Sequence, residues 1–126
     1  MTAGASGLDL VAAVPQAVEI LSGKRAAIPT GVQIALPEGF EGQVRPRSGL
    51  ALKEGVGILN APGTIDSDYR GEIQVILYNT GEAAFLLQRG MRIAQLVIAP
   101  VVKAQFVLGD NLSATVRGSG GFGHTG

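Results

Sequence analysis

An all-β fold is predicted by three features of the sequence. Its glycines, 19 of them, and its 6 prolines interrupt the chain every few residues. The segments between them are rich in Val, Ile, Leu and Ala and lack the repeat of an amphipathic helix. Uninterrupted apolar character in Leu96-Val97-Ile98-Ala99 implies a strand covered on both faces, as in a closed barrel, a sandwich or a strand at a subunit contact. A jelly-roll-like β-barrel of short strands satisfies all three.

Residues 8–14 and 18–21 read as the first strands, separated by Pro15-Gln16. In residues 32–36, Val32, Ile34 and Leu36 share one face, and Pro37-Glu38-Gly39 then turns the chain. Residues 43–47, 73–79, 84–88, 91–99 and 103–108 complete the series, with turns at Thr80-Gly81 and Arg89-Gly90. One stretch departs from the pattern. Ser48-Gly49-Leu50-Ala51-Leu52-Lys53-Glu54-Gly55 has a capping residue, good helix formers and a terminal glycine, which predicts one short helix capped by Ser48. Arg47 and Ser48 then stand where free amides and the positive dipole end can receive an anion. Read alone, the segment favours a plain cap and a solvated arginine.

Between apolar runs lies Gly63-Thr64-Ile65-Asp66-Ser67-Asp68-Tyr69-Arg70-Gly71-Glu72. Asn60, Pro62 and Gly63 lead in and residues 73–77 lead out, which predicts a hairpin-like loop presenting carboxylates from a rigid sheet. At the other extreme, Arg117-Gly118-Ser119-Gly120-Gly121-Phe122-Gly123-His124-Thr125-Gly126 has no apolar pattern of its own, and reads as an arm that moves when unliganded. Its glycines let amides approach phosphate oxygens, Arg117 supplies charge and Phe122 offers a face for a flat ring.

At 126 residues the chain is one domain. Lysine plus arginine and aspartate plus glutamate are balanced at 10 each, so no net field favours nucleic acid or an anionic membrane. Without cysteine there is no disulfide framework, thiolate zinc site or cysteine nucleophile, and with 1 histidine a dedicated transition-metal site is disfavoured. The first residues lack the pattern of a signal peptide and no run approaches a membrane span, so a soluble, cytoplasmic protein is expected.

Taken together, five stretches resemble, in order, the five motifs of the trimeric deoxyuridine triphosphatases (dUTPases). They are Ser6-Gly7-Leu8-Asp9-Leu10, Pro46-Arg47-Ser48-Gly49-Leu50-Ala51, the Gly63 to Glu72 stretch, Arg92-Ile93-Ala94-Gln95-Leu96 and the Arg117 arm. The resemblance implies hydrolysis of dUTP to dUMP and pyrophosphate by water attack on the α-phosphorus. It implies Asp66 as the catalytic carboxylate, a choice that the residues alone leave near even with Asp68. Tyr69 would lie beneath the deoxyribose and exclude a 2′-hydroxyl, and Asn60 would read the uracil edge. Arg47, Ser48, Gly49 and Gln95 would hold phosphates. Gln95, between Ile93 and Val97 on one strand face, is expected to be a partnered amide among apolar neighbours. Arg117, Phe122, Gly123, His124 and Thr125 would close over the nucleotide, and Asp9 would face Mg²⁺ indirectly, through water. The resemblance also implies a homotrimer whose active sites draw on different subunits, with residues 1–116 as the body and 117–126 as the arm.

Two features depart from the family's pattern. His124 stands where serine is commoner, which reads as a tolerated substitution; the alternative is an imidazole on the γ-phosphate. The family normally has a strand ahead of the first motif, whereas Asp9 follows Met1 almost at once, as a truncated or late start would give; either would expose a sheet edge. Among rival readings, a dCTP deaminase needs a glutamate activating water at the cytosine ring, and Glu72 is a poor match. A nucleotide-binding trimer without catalysis is disfavoured by Asp66, Tyr69 and the arm.

Overall fold

A computed structural model describes residues 3–123. Nine strands and one helix follow in the order β1 (Leu8–Val11), β2 (Val18–Ile20), β3 (Arg25–Pro29), β4 (Phe40–Pro46), α1 (Ser48–Glu54), β5 (Val56–Ile58), β6 (Gly63–Ile65), β7 (Gln74–Asn79), β8 (Phe85–Leu87) and β9 (Arg92–Pro100). They form three antiparallel sheets, ordered β1-β9-β4-β6, β2-β8 and β3-β7-β5. All three sheets face one core. Leu10, Val44, Ala94 and Leu96 enter it from the first, Ile20, Phe85 and Leu87 from the second, and Ile28, Val56, Ile58, Val75 and Leu77 from the third. The all-β, jelly-roll-like arrangement with one short helix is therefore present, its strands wrapping a shared interior as three sheets without a continuous closed ladder.

Several strands differ from expectation, each for a physical reason. Residues 32–36 keep the expected face, with Val32 and Ile34 packed on the core, but gain no ladder; the Ile73 amide donates to the Val32 carbonyl at 2.9 Å, and the Val32 amide donates to the Thr30 hydroxyl at 3.3 Å. Residues 103–108 form no strand and are exposed, because alternation without a partner edge leaves backbone groups to water. Three strands were not anticipated. Arg25–Pro29 is poor in β-formers yet pairs residue for residue with β7 from Arg25↔Tyr78 to Pro29↔Gln74, so tertiary pairing overrides local preference. Val56–Ile58 and Gly63–Ile65 are three residues each and glycine-bearing.

The helix also corrects one reading. Its N-cap is Arg47, in extended geometry and with no side-chain cap bond, so Ser48 is the first helical residue and not the cap. Gly55 closes the helix as expected, with φ 65°, and a Cβ there would come within 2.7 Å of the Gly81 amide nitrogen.

Asn79 fastens the turn beyond β7. Fully buried, it donates to the carbonyls of Ile20 at 2.9 Å and Ala83 at 2.8 Å, and its Oδ1 accepts from the Gly81 amide at 2.9 Å. Asn79→Ala leaves the buried Ile20 carbonyl and the half-buried Gly81 amide without this partner and is expected to destabilise the fold by about 2 kcal/mol, read as a lowered midpoint in urea unfolding.

Candidate active site

The sheet order brings three of the sequence-predicted residues to one outer face. Asp9 on β1 is paired with Gln95 on β9, which is paired in turn with Arg45 on β4. Opposed residues in a ladder project to the same side, so a carboxylate, an amide and a guanidinium stand in a row. Arg47, one residue beyond β4, donates from Nη1 to Asp9 Oδ1 at 2.5 Å, with both side chains about a quarter exposed, 24% and 26%. The carboxylate expected to face a metal and the guanidinium expected to hold phosphate thus pair with each other.

A β-bulge adds a further arginine. Leu10 is opposite Ala94 but Val11 is opposite Arg92, so Ile93 is an extra residue on β9. Ile93 and Ala94 both turn inward, and Arg92 is thereby re-aimed to the outer face, where its Nη1 lies 3.4 Å from Asp9 Oδ2. The same bulge corrects the reading of Gln95. With Ile93 turned into the core, Gln95 stands exposed on the polar face instead of between two apolar side chains of one face. Arg45 and Arg92 were not singled out from the sequence. The signal was there, because two consecutive apolar residues after Arg92 break strand alternation.

Ser48 and Gly49 follow Arg47 as the first residues of α1 and both are exposed, with open space where a Gly49 Cβ would stand. Phosphate oxygens can therefore approach the first helical amides without steric obstruction.

Asp66 and Tyr69 form a second group. The Gly63 to Glu72 stretch is not a hairpin: β6 pairs with β4, whereas β7 pairs with β3 and β5, so the loop crosses from one sheet to another. Asp66 stands exposed immediately after β6, and its main-chain carbonyl accepts from the Tyr69 amide at 3.1 Å. Tyr69, 43% exposed, donates from its hydroxyl to the Glu72 carbonyl at 3.0 Å. Gly71 lies against the ring, where an added Cβ would meet Cζ at 2.5 Å. Asp66 and Tyr69 line one cavity of about 360 Å³ with Thr64, Ile65, Glu72 and Gln74. Asp66 also borders a cavity of about 690 Å³ together with Asp68, Arg70, Glu38, Glu41 and Lys103. Asp68 borders only the larger of these two.

Neither cavity includes Asp9, Arg47, Ser48, Gly49 or Gln95. Asn60 is exposed on the turn before β6, with Asp66 beyond that strand's far end. Its amide nitrogen lies 3.4 Å from where a Gly63 Cβ would stand.

After β9 the chain leaves the core. Residues 101–123 form no helix or strand, and Phe106, Leu108, Leu112 and Val116 are at least 95% exposed. Two contacts hold the start of this segment: the Val101 amide donates to the Gly39 carbonyl at 2.8 Å, and Lys103 Nζ is 2.9 Å from Glu38 Oε1. That hydrogen-bonded pair lowers the Glu38 pKa and raises that of Lys103, but both groups are exposed and screening leaves little net stabilisation. Arg117 Nε donates to the Gly120 carbonyl at 2.7 Å, folding the arm on itself. Phe122 and Gly123 are exposed, while His124 and Thr125 lie outside the described residues.

The described part of one chain therefore presents an Asp9, Arg47 and Gln95 face, a separate Asp66 and Tyr69 cavity, and an arm whose described hydrogen bonds are local. Among the described residues no three His, Asp or Glu side chains converge as a metal-binding group, and no helix is long and apolar enough to cross a membrane.

Comparisons with known proteins show the family and the fold. A deoxyuridine 5′-triphosphate nucleotidohydrolase of Chlamydia pneumoniae is 60% identical over 126 residues, covering 99% of this chain and 87% of the relative. The dUTPase of Staphylococcus bacteriophage 80alpha, solved with dUPNHPP, superposes with a TM-score of 0.90 at 26% identity, covering 100% of this chain and 89% of that one. The dUTPase of phage phi11 of S. aureus, whose structure is described as revealing coordination of a structural Mg(II) ion, has the same fold at a TM-score of 0.79 and 22% identity, covering 89% of this chain and 88% of that one. The dUTPase family model matches residues 1–126, and the chain belongs to that family.

Proposed function

We propose that the chain hydrolyses dUTP to dUMP and pyrophosphate in the cytoplasm, keeping uracil out of DNA and supplying dUMP for thymidylate synthesis. The observation that carries this reading is the cavity shared by Asp66 and Tyr69, a carboxylate and an aromatic wall held by a common loop. Asp66 takes a proton from a water whose oxygen bonds to the α-phosphorus as the bond from that phosphorus to the bridging oxygen breaks, releasing pyrophosphate. Tyr69 underlies the sugar and leaves no room for a 2′-hydroxyl, and Asn60 contacts the base. Arg47, Ser48, Gly49, Gln95 and Arg117 hold the phosphates, with charge and amide donors placed where negative charge develops. Phe122 stacks on the nucleotide, and Gly123, His124 and Thr125 complete the closing arm.

The Asp9 face suits a magnesium ion that arrives with the triphosphate better than one held by protein alone, because it offers one carboxylate between two arginines. Bound in that way, the ion would screen and align the phosphates. Triphosphate oxygens would compete for the Arg47 guanidinium, and Asp9, freed of that partner, would be the carboxylate that holds the ion in place through water.

The body, residues 1–116, and the arm, 117–126, work across subunits of a homotrimer. The separation of the Asp66 cavity from the Asp9 face, together with the apolar side chains exposed along residues 101–116, supports that assignment. Pyrophosphate release measured with Mg²⁺ across dUTP, UTP, dTTP and dCTP tests the function. Turnover of dUTP with little from the others is expected, and equal turnover of dUTP and UTP rejects the role given to Tyr69.

A further inference from the structure

Glu72 is the one ionisable side chain in the Asp66 and Tyr69 cavity to which the hydrolytic reading gives no task. Its surroundings give it one. Gly31 has φ +71°, and its amide donates to Glu72 Oε1 at 2.7 Å, a charge-assisted bond. The neighbouring bonds are anchored in the core. The buried Thr30 hydroxyl donates to the Ile73 carbonyl at 2.7 Å, and the Ile73 amide donates to the Val32 carbonyl at 2.9 Å. Residues 30–32 and 72–73 are thus sewn together, and the Glu72 carboxylate is the outermost stitch.

Beyond that stitch the loop has mainly its own bonds. Arg70 Nη1 donates to the carbonyls of Ser67 and Tyr69, and the Tyr69 amide donates to the Asp66 carbonyl. What joins Tyr69 to the anchored part is its hydroxyl, which donates to the Glu72 main-chain carbonyl at 3.0 Å. A continuous series of hydrogen bonds therefore runs from Gly31 through Glu72 to Tyr69 and Asp66. The Glu72 carbonyl shares its planar peptide unit with the Ile73 amide, itself bonded to the Val32 carbonyl, so the Gly31 bond is a second restraint on that peptide, and losing it loosens the tyrosine's acceptor on the solvent side.

We propose that Glu72 is a positioning residue for sugar discrimination: its carboxylate, fixed on the Gly31 amide, holds its own carbonyl where it fastens the ring of Tyr69. The proposal rests on the reading of Tyr69 as the wall that excludes ribose. Glutamine keeps an acceptor oxygen at the same reach, whereas alanine removes it. The test compares kcat/KM for dUTP and UTP in Glu72→Ala, Glu72→Gln and Tyr69→Ala. Both substrates meet the same active fraction, so their ratio is insensitive to partial misfolding.

Glu72→Ala should lower the dUTP preference about tenfold, the effect of one hydrogen bond, and Glu72→Gln should restore it to within about threefold. If Tyr69→Ala collapses the preference and Glu72→Ala does not, the role of Glu72 is overturned while that of Tyr69 stands. Equal losses in Glu72→Ala and Glu72→Gln overturn the hydrogen-bond account in favour of charge. An unchanged preference in Tyr69→Ala overturns the sugar role beneath both.

Discussion

Replacing Asp66 with asparagine is expected to lower kcat for dUTP by about 10²- to 10⁴-fold, the usual contribution of a positioned general base, with KM changed by less than about threefold. The geometry makes this a clean substitution. The loop's turn is held by the main-chain carbonyl of Asp66, which accepts from the Tyr69 amide, so the side-chain amide removes the base and keeps the fold of the loop. Steady-state pyrophosphate release gives kcat, and calorimetric titration with a non-hydrolysable α,β-imido analogue checks that binding survives. Asp68→Asn is the control. Asp68 borders the larger cavity with Glu38 and Lys103 but not the one lined by Tyr69, so its loss should cost less than about tenfold. A large loss in Asp68→Asn with normal turnover in Asp66→Asn would reverse the assignment.

The two carboxylates also show how far the sequence was legible. The order of motifs and the polar stretch singled out one loop, because carboxylates clustered among turn residues between apolar runs put charge on a segment held by rigid strands. The connectivity of that loop was not legible. A hairpin and a crossover have the same local chemistry, and only the pairing of β6 with β4 and of β7 with β3 distinguishes them. Arg25–Pro29 failed for a related reason, since its alanines and proline become a strand only in the presence of β7. Gln95 was misplaced because alternation was extended through Ile93, where the bulge resets it. Gly55 was read correctly because a left-handed helix terminus is a local demand that glycine alone meets cheaply.

Removing residues 117–126 is expected to depress turnover by about 10²-fold or more, since a closing segment that orients phosphates and excludes water contributes at that scale. The decisive version mixes chains. Within one chain the arm emerges after β9, and Arg117 closes only on Gly120, away from the Asp66 cavity. If each site takes Asp66 from one subunit and the arm from another, then an inactive Asp66→Asn trimer and an inactive arm-deleted trimer should complement each other. Co-refolded in equal amounts, the two chains would form some sites with a native Asp66 from the truncated chain and a native arm from the other. Activity should then rise at least tenfold above either parent, and should not rise when the trimers are mixed without unfolding. If arm and carboxylate served the same chain, every site in the mixture would carry one lesion, and no rise would follow. Co-refolding without recovery, in samples shown by light scattering to be mixed trimers, would therefore place the arm on its own subunit's carboxylate.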